Sequence, residues 1–252
     1  MRTARGHDLE CEREELGHRR VDGVGLDQAR RGLGRVWPNP SVAALIVREA
    51  EGGPVLVGRG VTSRPGLAHA EVNALNQAGE KASGATCYVT LEPCSHYGRT
   101  PPCALALIDA GVKRVIVGML DPNPRVAGRG VKMLEDAGIE VTVGVREDAM
   151  KALYHGFMLR QLKQRPHVFL KLAASRDGFI GRTGEGQIKI SGPLSMRKVH
   201  GFRASHDAIL VGSGTALADD PQLTCRLPGL AERSPVRVVI DRRACLPPDS
   251  KL

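Results

Sequence analysis

The sequence predicts an α/β protein made of two successive units, each with helices packed on a central sheet. Three observations carry this prediction. From residue 41 onward, strand-like runs alternate with helix-like segments at regular spacing. Those strands are near-continuous apolar runs, as expected for a sheet covered on both faces and so for three layers. After Pro166 the alternation begins again. A length of 252 residues, 42% hydrophobic and 25% charged, suits one large or two ordinary globular domains.

The first 25 residues mix charge and Gly without apolar periodicity and are expected to be a poorly ordered tail. "LDQARRGLG" (26–34) reads as a short helix stopped by Gly32 and Gly34, and "WPNP" as a turn. "SVAALIV" (41–47) and "GPVLVGRGV" (53–61) read as consecutive strands joined by a Gly-rich turn. "HAEVNALNQAG" (69–79) is a helix closed by Gly79, and "ATCYVTL" (85–91) a strand. "PPCALALIDAG" (101–111) is a helix with Pro at its start and Gly past its end. Strand "RVIVGML" (114–120), helix "GRGVKMLEDAG" (128–138) and strand "IEVTVGV" (139–145) complete a first domain over 26–148. A linker helix is expected over 149–166, ending at Pro166. In the second unit, 167–252, "HVFLKLAAS" (167–175), "DAILVG" (207–212) and "VRVVID" (236–241) read as strands, and "PLSMRKVHGFRA" (193–204) as a helix. Three strands bury too little for an independent domain with a cofactor cleft, so this unit is expected to be cut short.

Composition excludes several classes. No run approaches the roughly 18 apolar residues of a membrane span. The N-terminus lacks the apolar core of a secretory signal, which leads to the expectation of a cytoplasmic protein. Cys11, Cys87, Cys225 and Cys245 are scattered and read as reduced structural thiols. The net charge of +9 invites a nucleic-acid reading, but its distribution opposes it. Residues 37–150 carry 11 Lys/Arg and 12 Asp/Glu, whereas residues 151–252 carry 17 and 8. No nucleic-acid partner is expected, and a homo-oligomer is compatible with the sequence.

His69 and Glu71 stand two apart in "HAEVNAL", and Cys94 and Cys103 follow in "EPCSHYGRTPPC". One imidazole and two thiolates are the three protein ligands of a catalytic zinc site that keeps its fourth position for water. Glu71 is then the spare carboxylate, able to take a proton from that water and hand it on. Both residues fall in the first turn of the predicted helix, and Cys103 follows two prolines at another helix start, where a thiolate is favoured. Zinc deaminases carry His-x-Glu followed by Pro-Cys-x-x-Cys. Here the second Cys lies nine residues after the first. On spacing alone, a helix-start His, a surface Glu and two free thiols remain the competing description.

"GRVWPNPSVAALIV", "AHAEVNAL", "ATCYVTLEPCSHYGRTPPC" and "DPNPRVAGRG" resemble the deaminase domain of the bifunctional riboflavin-biosynthesis deaminase–reductases. In that family an insert like "SHYGRTPP" displaces the second Cys. The resemblance covers about residues 26–252. It implies a cytidine-deaminase-like fold for the first domain, zinc on His69, Cys94 and Cys103, and Glu71 as proton shuttle. The implied substrate is a diamino-pyrimidinone bearing a ribosylamino 5′-phosphate, deaminated to the corresponding uracil. Asn39 resembles the family residue that hydrogen-bonds the pyrimidine. His96, Arg99 and Thr100 of the insert can line a ribose-phosphate pocket, with Arg99 a bidentate phosphate partner. "DPNPRVAGRG" reads as a turn. The readings set against this one are a nucleobase or tRNA deaminase of the same superfamily and a non-catalytic zinc-binding fragment.

"RPHVFLKLAASRDGFIG", "SHDAILVGSGTALADDPQLTCRL" and "PVRVVID" resemble the family's reductase domain, which implies an incomplete dihydrofolate-reductase-like α/β unit. Carried over by position, Ala173, Lys189, Thr215 and Asp219 fall where the family touches NADPH. Gln187, Arg203, Leu223 and Arg226 fall where it touches substrate. Many members have Trp at Lys189, a Gly is common within Ala43–Ala44, and members usually begin with a helix close to "PNP" bearing an apolar face, which only "LDQARRGLG" resembles here. With half of the cofactor cradle missing, the chain is expected to bind NADPH poorly.

Overall fold

The structure, a computed structural model, describes residues 4–98, 100–124, 126–182, 184–185 and 188–252, with side chains from residue 17 onward. It divides into two compact units, Met1–Gly32 with Val36–His167, and Leu33–Arg35 with Val168–Leu252.

The first unit is a five-stranded sheet of order β2-β1-β3-β4-β5. Its strands are β1 (Ala43–Ala50), β2 (Gly53–Val61), β3 (Thr86–Val89), β4 (Arg114–Val117) and β5 (Glu140–Val143). β1 runs antiparallel to β2 and β3, and β3, β4 and β5 are parallel. Side chains alternate between the faces. Ala44, Ile46, Cys87, Val89, Val115 and Val117 join one buried cluster with α2 (Ala70–Ala78), α3 (Cys103–Asp109) and α4 (Arg129–Asp136). Leu45, Val47, Tyr88 and Ile116 form the other, with Val21 and Val145 packed on it. Both faces are covered, as the apolar runs predicted.

Of the expected tail over 1–25, residues 4–25 instead belong to a long helix, α1 (Ala4–Gly32), which also absorbs "LDQARRG"; residues 1–3 lie outside the described residues. Among its described side chains, those of residues 17–32, the buried ones are Asp22, Gly25, Leu26 and Ala29, spaced i, i+3, i+4, i+7. Only Leu and Ala in that stripe are apolar, so no hydrophobic period was visible.

The expected linker helix belongs to the first unit. It forms as α5 (Glu147–Leu153) and α6 (His155–Lys163), broken at Tyr154. Met150 and Tyr154 are fully enclosed in the main core, and Phe157 and Met158 pack against it. Tyr154 Oη donates to the Ser41 carbonyl at 3.2 Å and is hydrogen-bonded to Thr90 Oγ1 at 2.6 Å. Thr90 in turn accepts from the Ala43 amide at 3.0 Å. These bonds anchor α5–α6 to the start of β1 and the end of β3.

In the second unit, β6 (Ala208–Gly212) and β7 (Val236–Ile240) form a parallel pair accompanied by α7 (Pro193–Ser205) and α8 (Ser213–Asp219). The strand expected over 167–175 does not form. Val168, Leu170 and Leu172 are 78%, 75% and 69% exposed, and the segment pairs with no strand among the described residues. An apolar run becomes a strand only where its backbone groups find a ladder partner. No helix among the described residues is long and apolar enough to cross a membrane.

Asp22 on α1 is buried with neither carboxylate oxygen hydrogen-bonded. Burial pushes its pKa up to about 7, against the partial opposition of Arg146. The folded protein therefore keeps a proton that the unfolded chain releases near pH 4, so stability falls as pH rises from about 4 to about 7. Asp22→Asn is expected to flatten that slope, raising the melting temperature by several degrees at pH 8 and by less at pH 5. Thermal denaturation of both forms across this range measures it.

Candidate metal centre and active site

α2 is held against β2 with almost no clearance. A Cβ on Gly60 would collide with the Ala70 carbonyl, and one on Gly58 would lie 2.9 Å from the Ala78 Cβ. Glycine at both positions lets the helix seat directly on the strand. Asn73 adds a second tie, its amide donating to the Val61 carbonyl at 2.8 Å and to Ser63 Oγ at 2.9 Å. The start of α2 is thereby fixed, with His69 as its N-cap residue and Glu71 in its first turn.

Cys94 lies in the loop after β3, and Cys103 is the first residue of α3. His69 Nδ1 is 3.3 Å from Cys103 Sγ and 3.7 Å from Cys94 Sγ. The Cys103 amide donates to Cys94 Sγ at 3.3 Å. One donor atom from each of the three residues lies within 4.8 Å of the others. A tetrahedral zinc with ordinary Zn–N and Zn–S bonds spaces its ligand atoms by roughly 3.5–3.8 Å, so the geometry and the N,S,S donor set fit that metal. The electrostatics fit too. A hydrogen bond from the Cys103 thiol, foremost, lowers Cys94 to about 4, and the same bond drives Cys103 far above the usual thiol range. Its hydrogen bond to Cys94 pushes His69 upward. Cys94 is thus held as a thiolate, and the proton retained on Cys103 is one that a cation can replace.

Glu71 is 3% exposed, and burial pushes it up to about 7, with Cys94 adding to the shift. It lines the same cavity of about 490 Å³ as His69 and Cys94. Asn39, His96 and Thr100 line that cavity as well. Arg99 lies outside the described residues.

Several lining residues had no sequence signal. Asp121 and Asn123, from the segment read only as a turn, face the cavity, as do Phe157 and Arg160 of α6. Glu92 was also missed. Its buried carboxylate accepts backbone N–H bonds from Asp121 at 3.1 Å, Gly128 at 2.9 Å, Gly130 at 2.9 Å and Val131 at 3.3 Å. One carboxylate thus ties the loop that carries Cys94 to the 121–131 turn. Its partners are main-chain groups, so residue types alone could not reveal it.

In the second unit, Arg203 donates to the Thr224 carbonyl at 3.0 Å, and the Arg226 amide donates to His200 Nδ1 at 3.2 Å. Leu223 is buried beside them, and burial, helped by the positive charge of both arginines, lowers His200. Three of the four expected substrate positions are therefore neighbours, and Gln187 lies outside the described residues. Thr215 and Asp219 share one side of α8, four residues apart. Ala173 is half-buried and Lys189 exposed, and no described contact joins either to Thr215 or Asp219.

Glu92→Gln turns one oxygen into an NH2 that faces two N–H donors. At about 1–3 kcal/mol for each buried donor left unpaired, a loss on the order of 2–6 kcal/mol is expected in chemical denaturation.

Comparison with known proteins bears on the same two units. Residues 26–119 match the cytidine and deoxycytidylate deaminase zinc-binding region, and residues 166–252 match the RibD C-terminal domain. The chain is 46% identical over 225 residues to riboflavin biosynthesis protein RibD of Bacillus amyloliquefaciens, covering 89% of this chain and 59% of that protein. With the Escherichia coli K12 protein of the same name it shares 49% identity over 228 residues, 86% of this chain and 61% of the other. It thus spans about 60% of the length of these curated relatives. A Thermotoga maritima diaminohydroxyphosphoribosylaminopyrimidine deaminase/5-amino-6-(5-phosphoribosylamino)uracil reductase aligns with TM-score 0.84 and 42% identity, covering 92% of this chain and 65% of that one. Acinetobacter baumannii RibD aligns with TM-score 0.85 over 94% of this chain. At 44% identity to that protein, 67% of which it covers, the chain belongs to the RibD family of riboflavin biosynthesis proteins.

Proposed function

We propose that the first unit hydrolytically deaminates 2,5-diamino-6-ribosylamino-4(3H)-pyrimidinone 5′-phosphate, releasing ammonia and leaving the corresponding uracil. The observation that carries this reading is a buried carboxylate, Glu71, sharing a cavity with a three-donor cluster suited to zinc. His69, Cys94 and Cys103 would hold the metal. Zinc bound there supplies Lewis acidity, which makes water a nucleophile at neutral pH.

The remaining chemistry falls to side chains. Water adds to the amino-bearing ring carbon, a C–O bond forms, and the C–N bond then breaks. Glu71 accepts the proton lost by the water and delivers it to the ring nitrogen, then takes the hydroxyl proton of the adduct and passes it to the departing amine, leaving the ring carbonyl and ammonia. Its raised affinity for protons, caused by burial, matches a group that must both take and give one near pH 7. Asn39 would hydrogen-bond the pyrimidine, and His96, Arg99 and Thr100 would meet the ribose phosphate.

For the second unit the proposed cofactor is NADPH, met at Ala173, Lys189, Thr215 and Asp219, with Gln187, Arg203, Leu223 and Arg226 toward substrate. The two-stranded sheet leaves Leu210, Val236 and Ile240 58–68% exposed, which supports weak cofactor binding by this unit.

Glu71→Gln is expected to retain about one zinc per chain while losing on the order of 10³-fold in kcat for ammonia release. Cys103→Ser is expected to lose the metal itself. Metal analysis alongside an ammonia assay with the pyrimidine phosphate separates these effects, and full turnover by Glu71→Gln would remove Glu71 from the mechanism. A fluorescence titration with NADPH is expected to remain unsaturated at about 1 mM, far above an ordinary cofactor affinity.

A further inference from the structure

α6 does more than pack on the core. Phe157, Arg160 and Gln161 are spaced i, i+3, i+4, and this one face of the helix lines the cavity that contains Glu71 and His69. Tyr154 and Phe157 hold that face in place, Tyr154 enclosed in the core and Phe157 packed against it. Arg160 lies on the next turn, its guanidinium carbon 5.7 Å from the centre of the Phe157 ring. A stacked arginine of this kind is held on a platform rather than swinging in solvent.

Its charge stands apart from its surroundings. Among the described lining residues, Arg160 is the one Lys or Arg, and it forms no ion pair with a described carboxylate. The carboxyl groups that share the cavity with it are those of Glu71, Glu92 and Asp121. Glu92 is engaged by four backbone N–H groups, and Glu71 is buried beside the metal-ligand cluster. A half-buried guanidinium facing a cavity, with no described carboxylate, Asp121 included, in ion-pair contact, suits an anionic ligand group.

We propose that Arg160 is a substrate-binding residue that recognises the phosphate of the phosphorylated pyrimidine. The deaminase site is then incomplete without the helix that follows the five-stranded sheet. This rests on the deaminase reading, so the test must separate the two. A planar guanidinium can donate two parallel hydrogen bonds to a phosphate, whereas Lys supplies only a point charge and Gln neither charge nor fork.

The experiment measures ammonia release from the pyrimidine phosphate and from its dephosphorylated form, using the full chain, Arg160→Gln and Arg160→Lys, each checked for zinc content and helical circular dichroism. The expected result is a KM for the phosphorylated substrate raised about tenfold or more in Arg160→Gln, with kcat within about threefold of the original. Arg160→Lys is expected to recover part of that loss, and the dephosphorylated substrate is expected to be handled alike by all three. If the unsubstituted chain prefers the phosphorylated form and both variants keep that preference undiminished, the role of Arg160 is overturned while the deaminase reading stands. If the unsubstituted chain releases no ammonia from either compound, the deaminase reading fails and the inference falls with it.

Discussion

The constraint that places the site in the first unit is the seating of α2 on β2 across Gly58 and Gly60, where a single added carbon would strike helix backbone or Ala78. That contact fixes the height and rotation of the helix start. His69 and Glu71 are thereby delivered to one spot at the edge of the sheet, and the two cysteines reach the same spot from a loop and another helix start. A metal-ligand set needs its donors within a few tenths of an ångström of their positions. Rigid packing one residue away from His69 holds the start of α2 to that tolerance.

Around this point, polar groups are satisfied in a way that ties separate segments together. Glu92 has four main-chain donors from the 121–131 turn, so the loop carrying Cys94 and the turn carrying Asp121 and Asn123 form one wall of the cavity. Thr90 and Tyr154 link β3, the segment before β1 and the helix pair after the sheet. Neither network touches the ligand cluster directly. Both determine which surfaces face it, and a buried polar network that is fully paired resists rearrangement.

The two units differ in how far their apolar surface is covered. In the first, the apolar side chains of the central strands β1, β3 and β4 are buried on both faces. In the second, β6 and β7 form a two-stranded pair, and the apolar residues of 168–172 remain largely exposed. Even so, Arg203, Leu223 and Arg226 are neighbours there, because the α7–β6 and α8–β7 connections are local enough to assemble without a closed sheet.

Residue type alone was enough to read the alternation of strands and helices between residues 41 and 145, and to single out His69, Cys94 and Cys103, whose donor atoms the fold brings together, with Glu71 beside them. Both kinds of information are written in residue type: apolar period in one case, metal-binding and proton-transferring side chains in the other. Tertiary structure decided what residue type does not encode. It made a helix of residues 4–32 by burying a stripe that includes Asp22 and Gly25. It left 167–175 without a strand partner, drew α6 into the cavity wall, and gave Glu92 its four donors. In each of these the outcome depends on which backbone or face lies opposite in space, and that is settled only when segments dozens of residues apart pack together.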